Sequence, residues 1–188
     1  NLVDTDFFSP KVKANKTHTL KLVSIGNLTR NKNHGLLIDS VGELIKSGFN
    51  INLIIAGDGP DLNYLRKKII AKNLNDHVSL VGVLSQLDVR DLLQCSDYFV
   101  LPSINETFGV VLIEAMSCGL PVMALNSEGP KSIITSKDHG VIVCNVNEFT
   151  SELKDFINTN FNSLHIREYV VRNFSMFSIS KQLNEIYN

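Results

Sequence analysis

Residues 102–122, PSINETFGVVLIEAMSCGLPV, open on a polar, glycine-bearing loop and run into an apolar helical stretch. A short apolar run at 98–101 precedes the loop, and another begins at 122. Val111, Leu112, Ala115 and Met116 recur at helical spacing and predict a helix from about 110 to 118. The stretch therefore reads as strand, loop, helix, strand. Working outward, short apolar runs rich in β-branched residues recur at 20–25, 51–56, 78–81, 98–101, 122–124 and 141–143. They are nearly continuous rather than alternating, which suits strands covered on both faces of a parallel sheet. Helical spacing fills the gaps: Leu36, Leu37, Val41, Leu44 and Ile45; Leu62, Leu65 and Ile69; Val89, Leu92 and Leu93. Such alternation with short connections predicts a doubly wound α/β sheet with right-handed crossovers. Three further helical stretches, at 148–158, 163–172 and 178–187, follow with no strand between them.

Composition narrows the class. A chain of 188 residues, 44% hydrophobic and 20% charged, can bury one good-sized core. A formal net charge of -1 offers no overall attraction to nucleic acid or an anionic membrane, so any charged site must be local. No apolar run reaches the roughly 18 residues a membrane-spanning helix needs, and no signal sequence opens the chain. Cys95, Cys118 and Cys144 form no C-x-x-C pair and lie in or beside apolar segments, reading as reduced core residues of a cytoplasmic protein. The chain opens on Asn, and residues 1–10 alternate polar and aromatic residues like a linker to something upstream.

In a doubly wound sheet, ligands bind beyond the carboxyl ends of the strands. The segments there are Gly26, Asn27, Leu28, Thr29, Arg30, Asn31 and Lys32 after the first strand. Gly57, Asp58, Gly59 and Pro60 follow the second, and residues 102–109 the fourth. Glu106 and Glu114 are eight residues apart, a net helical offset of about 80°, so both carboxylates can reach one side. Backbone N–H groups near Thr107, Phe108, Gly109 and Val110 would be free at the helix start and could take an anion. The G-x-G at Gly57 to Gly59 suits either a nucleotide turn or simply a tight strand-to-helix turn. Asp4, Thr5 and Asp6 spell D-x-D, but in an opening linker rather than after a buried strand, so no metal role follows. The five histidines show no ligand spacing.

Residues 102–122 resemble the signature block of retaining glycosyltransferase family four, P-S-x-x-E-x-F-G-x-x-x-x-E-A-M-A-x-G-x-P-V, with Ser117 in place of the usual small residue. The likeness extends to IGNLTRNKNH as the phosphate loop, IIAGDGP as the next strand-turn, FSMFSISKQLNEIY as the closing helix and NLVDTDFFSP as the interdomain segment. It implies a six-stranded Rossmann-like donor domain, the C-terminal half of a GT-B enzyme, binding a UDP- or GDP-sugar without a metal or cofactor. By the same resemblance Glu106 holds the sugar hydroxyls, Glu114 the ribose diol and Lys32 the diphosphate. Gly26, Gly57 and the residues 107–110 line the nucleotide.

Two departures stand out. Asn27 occupies the position of the family's arginine, and either Arg30 restores that second charge or Lys32 acts alone. Ser132 stands where relatives carry a glutamate, with Glu128 nearby as a partial substitute. The implied layout is a linker at 1–15, the donor domain at 16–175 and a closing helix at 176–188 crossing to an N-terminal domain that holds a glycan or lipid-linked acceptor. The fragment alone is expected to bind donor without transferring sugar. The resemblance further implies cytoplasmic polysaccharide biosynthesis, with peripheral membrane association open to the full-length enzyme. A nucleotide-sugar epimerase would need acid/base carboxylates in its first domain, and the spacing of Glu106 and Glu114 speaks against it. A regulatory α/β module would place acidic clusters after the first strand, where Arg30 and Lys32 stand.

Overall fold

The computed structural model describes residues 2–11, 19–176 and 178. Six strands, β1 (Leu20–Ile25), β2 (Ile51–Ala56), β3 (Val78–Gly82), β4 (Tyr98–Leu101), β5 (Val122–Leu125) and β6 (Gly140–Val143), form one sheet. Their order is β3-β2-β1-β4-β5-β6, and every pairing is parallel. The chain winds outward from β1 to β3, then crosses back to β4 and winds the other way. The order thus reverses between β1 and β4, which leaves a crevice at their carboxyl ends.

Among the described residues seven α-helices accompany the strands: α1 (His34–Lys46), α2 (Leu62–Ala71), α3 (Gln86–Cys95), α4 (Val110–Ser117), α5 (Glu128–Ile133), α6 (Phe149–Asn158) and α7 (Ser163–Phe174). Because successive strand residues point to opposite faces, the sheet divides the core in two. Leu22, Val100 and Met123 join α1, α2 and α6 on one face. Val23, Phe99, Val122 and Ala124 join α3, α4, α5 and α7 on the other. The central strands are covered on both sides, as their nearly continuous apolar runs require. The edge strand β3 is not: it alternates, and Val81 is 44% exposed.

The short helix α5 was not visible as a periodic pattern, since six residues complete fewer than two turns. Cys118 is buried as expected, but Cys95 and Cys144 are exposed. Adjacency to an apolar run does not fix which way a helix-end or strand-end residue points. The 3-10 turns Arg30–Lys32 and Val146–Glu148 complete the layout.

The opening segment, read as a linker, packs on the domain. Val3 and Phe8 are buried. Val3 bridges Ser175 in parallel, its N–H donating to the Phe174 carbonyl at 3.1 Å. The Arg167 guanidinium donates to the carbonyls of Phe8, Ser117 and Thr5 at 3.0, 2.8 and 3.0 Å. Within the D-x-D, Asp4 Oδ1 accepts from the N–H groups of Asp6 and Phe7, which is a turn-forming role. The predicted closing helix at 178–187 lies, apart from residue 178, outside the described residues.

Candidate functional site

The loop after β1 and the loop after β4 are joined before any ligand arrives. Asn31 Nδ2 donates to the Asn105 carbonyl at 2.8 Å, Asn105 N–H returns a bond to Asn31 Oδ1 at 3.0 Å, and Ile104 N–H donates to the Asn31 carbonyl at 2.8 Å. This reciprocal clasp sets the next residue of each loop side by side, and Lys32 Nζ forms an ion pair with Glu106 Oε2. The Lys32 stem runs over Gly26, where a Cβ would lie 3.4 Å from Lys32 Cε.

Lys32 and Glu106 line a cleft of about 580 Å³ together with Glu114, Gly26 and Asn27. Both glutamates therefore line one cavity, though not through a shared helix: Glu114 is on α4 and Glu106 lies in the loop before it. Glu114 is partly buried in the second turn of α4, and that burial raises its pKa above the ordinary carboxylate value. Gly109 at the helix start has φ +88°, a left-handed conformation that favours glycine. No side chain caps α4, and Gly109, Val110 and Val111 all line the cleft. Backbone donors, one ammonium and two carboxylates therefore meet at the strand-order reversal. Such a set can bind an anionic group beside hydroxyls.

Not every expected residue lies there. Thr107 is exposed outside the cleft, and Phe108 packs partly into the core. Arg30 lines a separate cleft with Asn33 and Tyr64. Asn27 and Gly57 share a smaller recess beside the main one. Gly57 has a backbone reason for its identity. Its φ is +140°, and a Cβ there would overlap the Gly26 carbonyl oxygen, so the β1 and β2 loops can approach only at glycine. Ser132 Oγ donates to the Gly129 carbonyl within its own helix, and Glu128 is almost fully exposed beside Lys131.

Sequence reading passed over several residues. Leu84, Gln86 and Val89 line the cleft, and their position just past β3 is the same signal that picked out the other loops. Gly129 had no assigned role, yet its N–H donates to the Glu106 carbonyl at 3.0 Å, and a Cβ on it would come within 2.5 Å of the Phe108 backbone. His34, the first residue of α1, is buried with neither ring nitrogen bonded among the described residues. Burial, aided by the nearby Lys32 charge, lowers its pKa to about 4. Ser24 Oγ and Ser103 Oγ are likewise buried without a partner.

The family model of glycosyl transferases group 1 matches residues 5–171. A phosphatidylinositol N-acetylglucosaminyltransferase gpi3 subunit of Schizosaccharomyces pombe is 29% identical over all of the chain and 42% of its own length. An alpha-D-kanosaminyltransferase of Streptomyces kanamyceticus is 28% identical over 87% of the chain and 44% of its own length. The chain thus spans less than half of these relatives. Among solved structures, a sucrose-phosphate synthase from Thermosynechococcus elongatus superposes with a TM-score of 0.84 at 21% identity, over 98% of this chain and 50% of that one. An Anabaena protein solved with UDP and glucose gives 0.81 at 20% identity, over 100% and 55%. The C-terminal domain of a Francisella tularensis glycosyl transferase group 1 protein gives 0.79 at 17% identity, over 93% of this chain and 99% of that domain.

Proposed function

Since the chain belongs to the glycosyl transferases group 1 family, we propose that it is the donor-binding half of a retaining GT-B glycosyltransferase of family four, taking a UDP- or GDP-linked sugar. The observation that carries this reading is the convergence of Lys32, Glu106, Glu114 and the uncapped start of α4 in one cleft where β1 meets β4. In the bound state Glu114 accepts from the ribose hydroxyls, and its buried position makes that charge-assisted bond strong. Lys32 leaves Glu106 for the diphosphate, and the α4 amides add backbone donors, together offsetting the charge that develops on the leaving group. Glu106, released, accepts from the sugar hydroxyls.

Transfer with retention then proceeds on the front face. The acceptor oxygen bonds to the anomeric carbon as the sugar–phosphate bond breaks, and the acceptor proton passes to the departing phosphate oxygen. The chain's residues orient the donor and hold charge, and no nucleophile from them is required. The acceptor, a glycan or lipid-linked hydroxyl, would be held by an N-terminal domain, with the isolated half binding donor but not transferring it. We place the whole enzyme in cytoplasmic glycan or polysaccharide synthesis.

Calorimetry with UDP and GDP tests the assignment. Glu114→Gln keeps the shape and removes the charge, so affinity for whichever nucleotide binds should fall by about 1.5 to 3 kcal/mol. An unchanged dissociation constant would reduce Glu114 to a buried helix residue.

A further inference from the structure

On the other side of the 30–33 loop from the donor cleft lies a second groove, of about 640 Å³. The loop is a common wall: Lys32 lines one cavity, Arg30 and Asn33 the other. α1 contributes Gly35 and Asp39, Asp61 just before α2 and Tyr64 within it add a second side, and Val146 a third. Tyr64 is 54% exposed and Val146 48%. Gly35 lets the Tyr64 ring lie against α1, since a Cβ there would sit 3.1 Å from Tyr64 Oη and 3.2 Å from its ring.

The groove is lined by one cation, Arg30, and two anions, Asp39 and Asp61. Asp39 is paired with both Lys68 and Lys72, at 2.5 and 2.9 Å. Among the described residues neither Arg30 nor Asp61 has an ion-pair partner, so one free cation and one free anion face the same space. An anionic ligand would meet the Asp61 carboxylate and a cationic ligand the Arg30 guanidinium, so between the two groups left to the ligand neither sign is favoured. What the lining offers is an aromatic platform, an apolar wall, and planar donor and acceptor groups from guanidinium, amide and carboxylate. A pyranose has matching surfaces: an apolar C–H face for Tyr64 and a rim of vicinal hydroxyls for Arg30, Asn33 and Asp61. The volume lies within the roughly 300 to 1,000 Å³ of small-molecule sites.

We propose that the Arg30–Tyr64 groove is a saccharide-binding subsite for a short, neutral oligosaccharide. Arg30 donates to its hydroxyls, Asp61 accepts from them, and Tyr64 covers one sugar ring. Its role as an auxiliary glycan-holding site beside the reaction centre rests on the donor reading of the neighbouring cleft; the binding itself does not, and the two are tested apart.

The 188-residue chain, labelled with nitrogen-15, is titrated with chitotriose, maltotriose and laminaritriose, and separately with UDP and GDP. At millimolar concentration at least one trisaccharide should shift the amides of Arg30, Gly35, Tyr64 and Val146. Tyr64→Ala, a change at a half-exposed position, should weaken that binding by at least about tenfold. Tyr64→Phe keeps the platform and should retain it. The proposal is overturned if no trisaccharide moves these amides, if the shifts fall only around Lys32 and Glu114, or if Tyr64→Ala binds as wild type does. Failure of UDP and GDP to shift Lys32 and Glu114 would instead count against the donor cleft alone.

Discussion

His34 should make the fold sensitive to acid in a window set by its burial. In the folded chain its ring takes up a proton near pH 4, whereas in the unfolded chain it does so near 6.5. Between these values the unfolded state holds more protons, so stability is fully present above about pH 6.5 and declines as the pH falls toward 4. From about pH 7.5 to about pH 5 the loss attributable to this one group is on the order of 2 kcal/mol, and the whole window amounts to about 3 kcal/mol. Urea unfolding across that range measures it directly. The companion variant is His34→Leu. Neither ring nitrogen has a hydrogen-bond partner, so an apolar side chain of similar size sacrifices no bond, and its stability at about pH 7.5 should equal or exceed wild type. Below about pH 6.5 the two should diverge, because the variant lacks the proton-linked loss. His139, also depressed by burial and by His165, acts in the same direction and cancels in the difference. Parallel curves for the two proteins, or a His34 resonance titrating near pH 6.5, would refute the reasoning.

Lys32→Ala should weaken nucleoside diphosphate far more than nucleoside, while Arg30→Ala should leave diphosphate affinity nearly unchanged because Arg30 lines the other groove; calorimetry reporting equal losses would merge the two sites. Gly57→Ala forces a Cβ into the Gly26 carbonyl at an unfavourable φ and should cost about 2 kcal/mol or more of stability, and a neutral result in urea unfolding would contradict the close loop approach. Arg167→Ala removes the donor shared by Thr5, Phe8 and Ser117, so stability should drop by about 2 to 4 kcal/mol and limited proteolysis near residues 3–8 should quicken. A change below about 0.5 kcal/mol would show the clasp to be incidental.

Legibility in the sequence followed the physics of each element. The strands could be bounded to within a residue because the buried stretches of β1, β4 and β5 carry no polar residue except Ser24, with Lys21 standing at the partly exposed start of β1. Glu114 could be placed at the cleft because its helix starts at the sheet's carboxyl edge, whereas Glu106 lies in the loop before that helix and is set by loop contacts, its carbonyl accepting from the Gly129 N–H and its carboxylate pairing with Lys32. Arg30 could not be placed that way. Residues 30–32 form a 3-10 turn of about three residues per turn, so side chains two apart diverge by roughly a third of a circle and enter different cavities. The Asn31–Asn105 clasp joins residues 74 apart through amide groups common in any loop, and nothing local announces it. Gly129 likewise owes its identity to a backbone 21 positions away.

The Val3–Ser175 bridge bears on how the domain would carry mechanical load. The two segments run parallel, so chain entering at Val3 and chain leaving at Ser175 depart from opposite ends of the pairing. Tension applied between them shears the bridge along its length instead of peeling it open. The resistance then falls at once on the Val3 amide, the three Arg167 bonds and the buried Phe8 ring. A pull that would peel an ordinary terminal tail one contact at a time must here break the whole seam together.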